Sequence, residues 1–148
     1  MKKSFLVAPD DFDPGAEIEG LSRGQSESGA IASFVGLVRG ATDGVRAMTL
    51  EHYPGMTEKQ IAALIEEAGK RWSLDAVTVI HRVGRLAPGD RIVFVGVAAR
   101  HRAEAFAACE FLIDWLKTRA PFWKLEETPA GDRWVAARDE DENRASRW

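Results

Sequence analysis

The sequence contains little cysteine and no long apolar segment. Its 148 residues include one cysteine, Cys109, so an intramolecular disulfide and a cysteine-rich metal site are both excluded. No window approaches the roughly 20 apolar residues of a membrane span, and the apolar run after Lys3 is too short for a signal peptide. We therefore expect a cytoplasmic protein with no membrane partner.

An excess of positive charge is also missing, because the formal net charge is -3. General nucleic-acid binding depends on many phosphate contacts, so this charge argues against a nucleic-acid partner. The motifs G-x-x-x-x-G-K-[ST], G-x-G-x-x-G and G-x-S-x-G do not occur, and the three histidines lack the spacing and cysteine neighbours of common zinc motifs. We expect no metal and no cofactor, and any basic site must be local.

The hydrophobic fraction of 45% is ordinary for a globular chain, and the length is that of one domain, residues 1–148. Apolar periodicity and turn residues predict an α+β protein with a largely antiparallel sheet and two main helices. The charged segment 139–148 is expected to form a solvated or helical end. Helices are predicted at 57–71 and 103–118, with a shorter one near 16–22, and strands at 4–8, 29–39, 46–53, 76–83, 91–99 and 133–137.

Three local features refine this prediction. The alternation of residues 46–53 fits a hairpin with the strand that precedes them. Gly29 and Gly36 within that preceding strand predict a bulge or a close approach by another backbone or a ligand. Thr57 and Gln60 fit a capping box that begins the first main helix.

The second main helix has a predicted buried stripe, formed by Phe106, Cys109, Ile113 and Leu116 at helical spacing. A thiol on such a stripe is far more often packed in the core than reactive, so we expect Cys109 to be structural. His81 lies within a predicted strand, and we interpret it as a structural histidine.

A lysine-rich corner follows the second main helix. Pro121 ends a helix, because its ring and missing N–H are incompatible with a helix interior. Lys117 is therefore expected in the last helical turn and Lys124 on the extended segment that follows. Such a corner can point two ammonium groups toward an anion or a reacting carbonyl, and cations such as Arg119 would make Lys117 a better acid–base group if they converge. The alternative is that Lys117 meets the helix dipole and Lys124 is solvated.

A second basic group, Arg100, His101 and Arg102, lies where a strand ends and the second main helix begins. The free N–H groups and partial positive charge of a helix N-terminus suit a phosphate. Arg39, at the end of its own strand, could reach the same phosphate. The alternative is a polar loop with its charges in water.

Six motifs occur in order between about residue 29 and Arg138. They are FVGLVR (34–39), LEHYPGM (50–56), HRVG (81–84), GDRIVFVG (89–96), HR (101–102) and LKTRAPFWK (116–124). Together they closely resemble the family of large, catalytic subunits of molybdopterin synthase. Linked motifs in the same order are more specific than any one of them.

The resemblance implies a MoaE-type α/β hammerhead fold and an enzyme of molybdenum cofactor biosynthesis. In that family the subunit converts cyclic pyranopterin monophosphate into molybdopterin by installing two dithiolene sulfurs. Sulfur comes from the C-terminal glycine thiocarboxylate of a small ubiquitin-like partner. The assembly is a heterotetramer, with a central homodimer of large subunits and a small subunit at each end. The resemblance does not imply that this chain itself holds molybdenum.

The resemblance also implies roles for single residues. Lys117 matches the lysine closest to the thiocarboxylate, and Lys124 matches a second essential lysine. Leu37 and Leu125 stand where related sequences often carry a basic residue, which makes the pocket less positive if side chains bind phosphate there. The implied substrate-binding positions are Leu37, Val38, Arg39, His101, Arg102, Lys117, Lys124, Leu125 and Glu126, with Arg138 reaching across the dimer.

Two other functions are compatible with the sequence. A non-catalytic scaffold that docks a ubiquitin-like tail would bind the partner but leave both lysines dispensable. A pterin-phosphate binding protein would bind the precursor without any partner.

Overall fold

The computed structural model describes residues 1–40, 44–135 and 139–148, and it confirms the α+β class. None of the helices in these ranges is long and apolar enough to cross a membrane. The two main helices are α2 (Met56–Arg71) and α3 (Arg102–Arg119), and the shorter ones are α1 (Pro14–Ser22) and α4 (Asp139–Ser146). The strands are β1 (Lys2–Ala8), β2 (Ala30–Leu37), β3 (Ala47–His52), β4 (Leu74–Arg82), β5 (Gly84–Leu86), β6 (Arg91–Ala99), β7 (Phe122–Thr128) and β8 (Gly131–Val135).

The first sheet forms the centre of the core. Its strand order is β1-β4-β6-β2, with β1 parallel to β4 and the other neighbours antiparallel. Apolar residues fill both faces of β6, because α2 and α3 cover one side of the sheet and α1 packs against the other. Phe94 meets Phe12 edge to face on the α1 side, while Val93, Val95 and Val97 belong to the cluster under α3.

The second sheet has the strand order β5-β3-β7-β8 and is antiparallel throughout. The predicted hairpin between residues 46–53 and the preceding strand is wrong, because β3 pairs with β5 and β7 while β2 pairs with β6. Alternating polarity indicates which face of a strand is buried, but it does not specify the partner strand. The sequence-based prediction also lacks β5, which has three residues.

The first main helix begins at Met56, and the predicted capping box is wrong. Gly55 is the N-cap, at a φ of 85° that a glycine adopts without steric cost. The Glu58 carboxylate accepts a hydrogen bond from the Gly55 N–H, so Glu58 takes the place that Gln60 was predicted to have. Thr57 is fully buried inside the first turn.

The buried side of α3 agrees only partly with the predicted stripe. Cys109 and Leu116 are buried, as expected, but Ile113 is half-buried and Phe106 is 66% exposed. The helix packs against β6, β2, α2 and α4, so its buried residues spread over more than one stripe. The Cys109 thiol lies 3.8 Å from the carbonyl oxygen of Val95, and burial raises its pKa to about 12. This is the environment of an unreactive, structural thiol.

Gly29 and Gly36 mark close approaches, as the sequence predicts. A Cβ at Gly29 would overlap the carbonyl oxygen of Arg100, and one at Gly36 would lie 2.6 Å from Val93 Cγ1. The register of β2 against β6 also shifts between Gly36 and Leu37, which is the predicted bulge. This irregularity falls where β2 enters the candidate site.

The charged end of the chain is helical and packed. α4 lies against α3, and Trp148 places its indole ring beside Trp72 and Phe111. The indole N–H donates to Asp114 Oδ2 at 2.7 Å, and Arg144 Nε lies 3.4 Å from Asp114 Oδ1. Asp114 is buried, so these donors compensate for the hydration that its carboxylate loses.

Candidate functional site

The corner between α3 and β7 is built as the sequence predicts. α3 ends at Arg119, and Ala120 is extended, with φ -78° and ψ 131°, before Pro121. Lys117 lies in the last turn of the helix, and Lys124 lies on β7. The short connection between the two elements keeps both lysines in the same region of the protein.

Thr57 of α2 anchors this corner. Its hydroxyl accepts a hydrogen bond from the Tyr53 N–H at 3.0 Å and donates one to the Pro121 carbonyl at 3.0 Å. The side chain is fully buried, which protects both bonds from competition by water. Thr57 therefore ties the start of α2 to the point where α3 is followed by β7.

Lys117 and Lys124 line one cavity of about 490 Å³. Lys117 is exposed, whereas Lys124 is half-buried. The pKa of Lys124 is lowered to about 8, mainly by burial and next by the nearby Lys117 ammonium. The carboxylates of Asp141 and Glu126 act in the opposite direction. The structure thus brings the two lysines together and gives one of them a pKa close to neutrality.

A smaller cavity, of about 40 Å³, is lined by His81 of β4 together with both lysines. His81 Nδ1 lies 2.9 Å from the Arg82 carbonyl oxygen, which can only accept, so Nδ1 carries the hydrogen. The imidazole stacks on the Phe122 ring at 3.8 Å between centroids and 19° between planes. Burial lowers the pKa of His81 to about 3, so the ring is neutral around pH 7.

The end of β2 and the two residues after it border the larger cavity. Leu37 and Arg39 are exposed, and Val38 is buried. The Val38 N–H donates to the Asp90 carbonyl at 2.8 Å, and its own carbonyl accepts from the Gly89 N–H at 2.8 Å. Because the backbone of Val38 is already paired, Arg39 is the residue here that can hold an anion.

Alternation along β7 separates neighbouring candidate residues. Lys124 and Glu126 both line the larger cavity, because alternate residues of a strand share a face. Leu125 is opposite Trp134 of β8 and points to the other face of the sheet. Glu126 itself lies 3.5 Å from the guanidinium of Arg133. The leucine at position 125 therefore leaves the charge of this cavity unchanged.

His101 and Arg102 are far from the lysine pair within one chain. His101 and Arg102 lie at the start of α3, whereas Lys117 lies in its last turn. A helix of 18 residues is about 27 Å long, so most of this length separates them. Both residues are exposed, and the His101 side chain makes no capping hydrogen bond. They are accessible to another molecule but do not face the cavity of their own chain.

The predicted phosphate site shared by Arg39 and His101 is wrong for a single chain. In the antiparallel pair of β2 and β6, Leu37 is opposite Arg91, the first residue of β6. Arg39 therefore lies beyond the end of the sheet at which β6 begins. His101 follows the other end of β6, and a strand of nine residues is about 30 Å long. The sequence identifies both strand ends, but their relative direction depends on the pairing.

Two other predicted cations are not part of the lysine pair. The Arg119 guanidinium lies 4.0 Å from the centroid of the Trp115 ring, a stacking contact that directs it elsewhere. Arg138 lies outside the described residues. Among the residues that the structure describes, the cations lining the larger cavity are Arg39, Lys117 and Lys124.

Asp141 and Thr57 belong to the site, and sequence reasoning missed both. Asp141, on α4, lines the cavity, and its carboxylate raises the pKa of Lys124 against the stronger effects of burial and Lys117. Nothing in the charged segment indicates where α4 packs. The sequence does single out Thr57, because it places a hydroxyl at the start of a helix. That pattern also fits a helix cap, so it does not indicate the hydrogen bond to Pro121.

The arrangement can stabilise negative charge that develops on oxygen. Lys117 and Lys124 together can supply an ammonium and, near neutral pH, a proton-accepting amine at one place. No group of three or more metal-ligating side chains converges within residues 1–40, 44–135 and 139–148. The site therefore suits acyl or carbonyl chemistry on an anionic substrate.

Comparison with known proteins identifies close relatives. The model of the MoaE protein family matches residues 7–119. The molybdopterin synthase catalytic subunit of Escherichia coli (strain K12) is 55% identical over 146 residues, which cover 97% of each chain. The structure of the molybdopterin biosynthesis MoaE protein from Burkholderia ambifaria MC40-6 superposes with a TM-score of 0.85 and 52% identity, covering 100% of this chain and 98% of that one. The fold implied by the six motifs is confirmed.

A more distant structure has the same fold in a complex. It is the protein–protein complex of subunits 1 and 2 of molybdopterin-converting factor from Helicobacter pylori 26695, with a TM-score of 0.71 and 17% identity. The alignment covers 93% of this chain and 90% of that one.

Proposed function

The chain belongs to the MoaE family of molybdopterin synthase catalytic subunits, enzymes of molybdenum cofactor biosynthesis, and we propose that its lysine pair performs the sulfur transfer. The substrate is cyclic pyranopterin monophosphate, and the product is molybdopterin with its two dithiolene sulfurs. Each sulfur arrives as a thiocarboxylate on the C-terminal glycine of a small ubiquitin-like partner. The observation that best supports this proposal is that Lys117 and Lys124 line one cavity, where the Lys117 ammonium helps to lower the pKa of Lys124.

The reaction has two parts for each sulfur. The thiocarboxylate sulfur attacks a carbon of the pterin side chain and forms a carbon–sulfur bond, while a carbon–oxygen bond of that carbon breaks with its electron pair going to oxygen. The partner is then joined to the substrate as an acyl intermediate. Water then adds to the acyl carbon, and the partner leaves as a carboxylate. Negative charge develops on oxygen in both parts, and one preorganised donor stabilises such charge by roughly 3 kcal/mol.

The two lysines have different tasks in this proposal. Lys117 is the more exposed, so it meets the incoming tail and donates to the developing oxyanion. Lys124 is half-buried, and with a pKa of about 8 a substantial fraction of its side chain is the neutral amine near pH 7 to 8. That amine can accept a proton and return it as an acid.

The cyclic phosphate is proposed to bind between two copies of the chain. Arg39 lines the lysine cavity of its own chain. His101 and Arg102 come from the second copy in the proposed dimer, because the length of α3 separates them from the lysines of their own chain. Arg138 is proposed to reach across the same dimer.

The proposed assembly is a heterotetramer, a homodimer of this chain with one small subunit at each end. The two-subunit complex from Helicobacter pylori supports a small partner. Residues 1–148 would act as one catalytic domain in the cytoplasm.

The decisive experiment uses purified Lys117→Ala, thiocarboxylated partner and precursor. We expect molybdopterin formation to fall by a factor of at least about 100, the effect of removing one oxyanion donor. Partner binding, measured by calorimetry, should stay nearly unchanged. The matched control is Lys70→Ala, which removes an exposed lysine from the last turn of α2 and should keep wild-type turnover.

The same assay separates the alternatives. Wild-type turnover by Lys117→Ala would remove Lys117 from the mechanism. A protein that binds the partner but forms no product, with both lysines dispensable for that binding, would be a scaffold. Binding of the precursor without any partner, again without product, would indicate a pterin-phosphate binding protein.

A further inference from the structure

The geometry points to a role for His81, the neutral imidazole beside the lysine pair: it holds the water molecule that releases the partner from the acyl intermediate. This inference rests on the proposed function, because it assigns the second part of that reaction. Sequence reasoning treats His81 as structural, and its position beside both lysines gives it a second use.

The orientation of the imidazole is fixed on two sides. Nδ1 donates to the Arg82 carbonyl oxygen at 2.9 Å, and one face of the ring stacks on Phe122. Nε2 is therefore the nitrogen with a free lone pair, and no described residue donates a hydrogen bond to it. His81 lines the small cavity, so this acceptor is available to a molecule inside it.

The small cavity is the right size for one water molecule. Its volume of about 40 Å³ exceeds the minimum of roughly 10 to 15 Å³ for a water. The residues with polar side chains that line this cavity are His81, Lys117 and Lys124, which could offer a water three partners. Buried waters are typically held by about three such partners.

The charges around His81 keep it an acceptor. Lys117 on α3, Lys124 on β7 and His52 on β3 all oppose protonation of the ring, in addition to burial. His52 in turn lies 3.3 Å from Glu58 of α2. With a pKa of about 3, His81 stays neutral over the whole range in which Lys124 changes its charge.

The step balances with groups already present. The water donates one hydrogen to His81 Nε2 and the other to the neutral Lys124 amine, which leaves an oxygen lone pair for the acyl carbon. The new bond joins that oxygen to the acyl carbon, and the carbon–sulfur bond breaks with its electron pair going to sulfur. Lys124 becomes an ammonium, the sulfur stays on the pterin as a thiolate, and the partner leaves as a carboxylic acid that ionises in water.

The test compares His81→Phe and His81→Gln in the assembled enzyme with thiocarboxylated partner and precursor. Phenylalanine keeps a flat ring on Phe122 but has no acceptor, whereas the glutamine Oε1 can take the place of Nε2. Single turnovers are followed by mass spectrometry of the covalent partner–pterin adduct. We expect the adduct to form at the wild-type rate in His81→Phe and to hydrolyse roughly 100-fold more slowly, the scale of a misplaced reacting group. His81→Gln should restore most of the hydrolysis.

Two results would overturn the inference. One is wild-type hydrolysis by a folded His81→Phe protein, and the other is loss of adduct formation itself in a folded His81→Phe protein. Thermal melts of both variants establish that they are folded. Failure of the proposed function looks different, because wild-type protein would then form neither adduct nor product.

Discussion

Lys117 and Lys124 line the same cavity, although one lysine lies in the last turn of a helix and the other lies on a strand. Burial, and next the repulsion between the two like charges, lowers the pKa of Lys124, the more buried lysine. Such a pair is unfavourable for folding and useful for chemistry that needs an acid and a base together.

The first prediction is that Lys124→Met stabilises the fold near neutral pH. The pKa of Lys124 is about 8 in the folded protein and 10.5 as the ordinary value, so folding disfavours its charged form. The resulting penalty is fully present below pH 8 and disappears as the pH rises through 10.5. We expect the free energy of unfolding at pH 7 to rise by about 1 to 3 kcal/mol, as measured by urea titration.

The pH dependence distinguishes this explanation from a gain in apolar packing. The advantage of Lys124→Met should shrink between pH 8 and pH 10.5, whereas a packing effect would be equal at both ends of that range. Lys70→Met, at an exposed position, is the matched control and should change the free energy of unfolding by less than about 0.5 kcal/mol.

The second prediction concerns the anchor of the corner, Thr57. Thr57→Val keeps the shape of the side chain but leaves the Tyr53 N–H and the Pro121 carbonyl without this partner. We expect a loss of about 1 to 3 kcal/mol in the free energy of unfolding, together with reduced turnover as the corner loosens. Thr57→Ser retains the hydroxyl and should keep most of the stability and most of the turnover. Equal stability of the valine and serine variants would contradict the anchoring role.

The third prediction concerns the packing of the chain end. Trp148→Ala removes ring contacts with Trp72 and Phe111. It also removes the hydrogen bond that the indole N–H donates to the buried Asp114 carboxylate. We expect the free energy of unfolding to fall by about 2 to 4 kcal/mol, measured by thermal or urea denaturation. Trp134→Ala, at a side chain that is 59% exposed, is the control. Similar losses in both variants would show that α4 is not held by this contact.

The local part of the site was predictable from the sequence. Pro121 ends a helix for steric reasons that act within a few residues, so the positions of Lys117 and Lys124 followed directly. The close approaches at Gly29 and Gly36 were equally local, because a missing side chain indicates where a neighbour comes near, which is the Arg100 backbone at Gly29 and the Val93 side chain at Gly36.

The parts that depend on pairing and packing were not predictable in the same way. Alternation in residues 46–53 specified a buried face but left the partner strand open, and β7 occupies that place from far along the chain. The separation of His101 from Arg39 follows from the antiparallel direction of β2 and β6. The position of Asp141 follows from the packing of α4, for which the charged segment carries no periodic signal.

The most direct test of the central claim is a double-mutant cycle on the two lysines. Rates of molybdopterin formation are measured for wild type, Lys117→Ala, Lys124→Ala and the double variant, each with thiocarboxylated partner. If both nitrogens act at one site on one reaction, each single variant loses activity and the double variant loses no more than the worse single one. A double variant whose loss equals the product of the two single losses, or a single variant with wild-type turnover, would contradict the account.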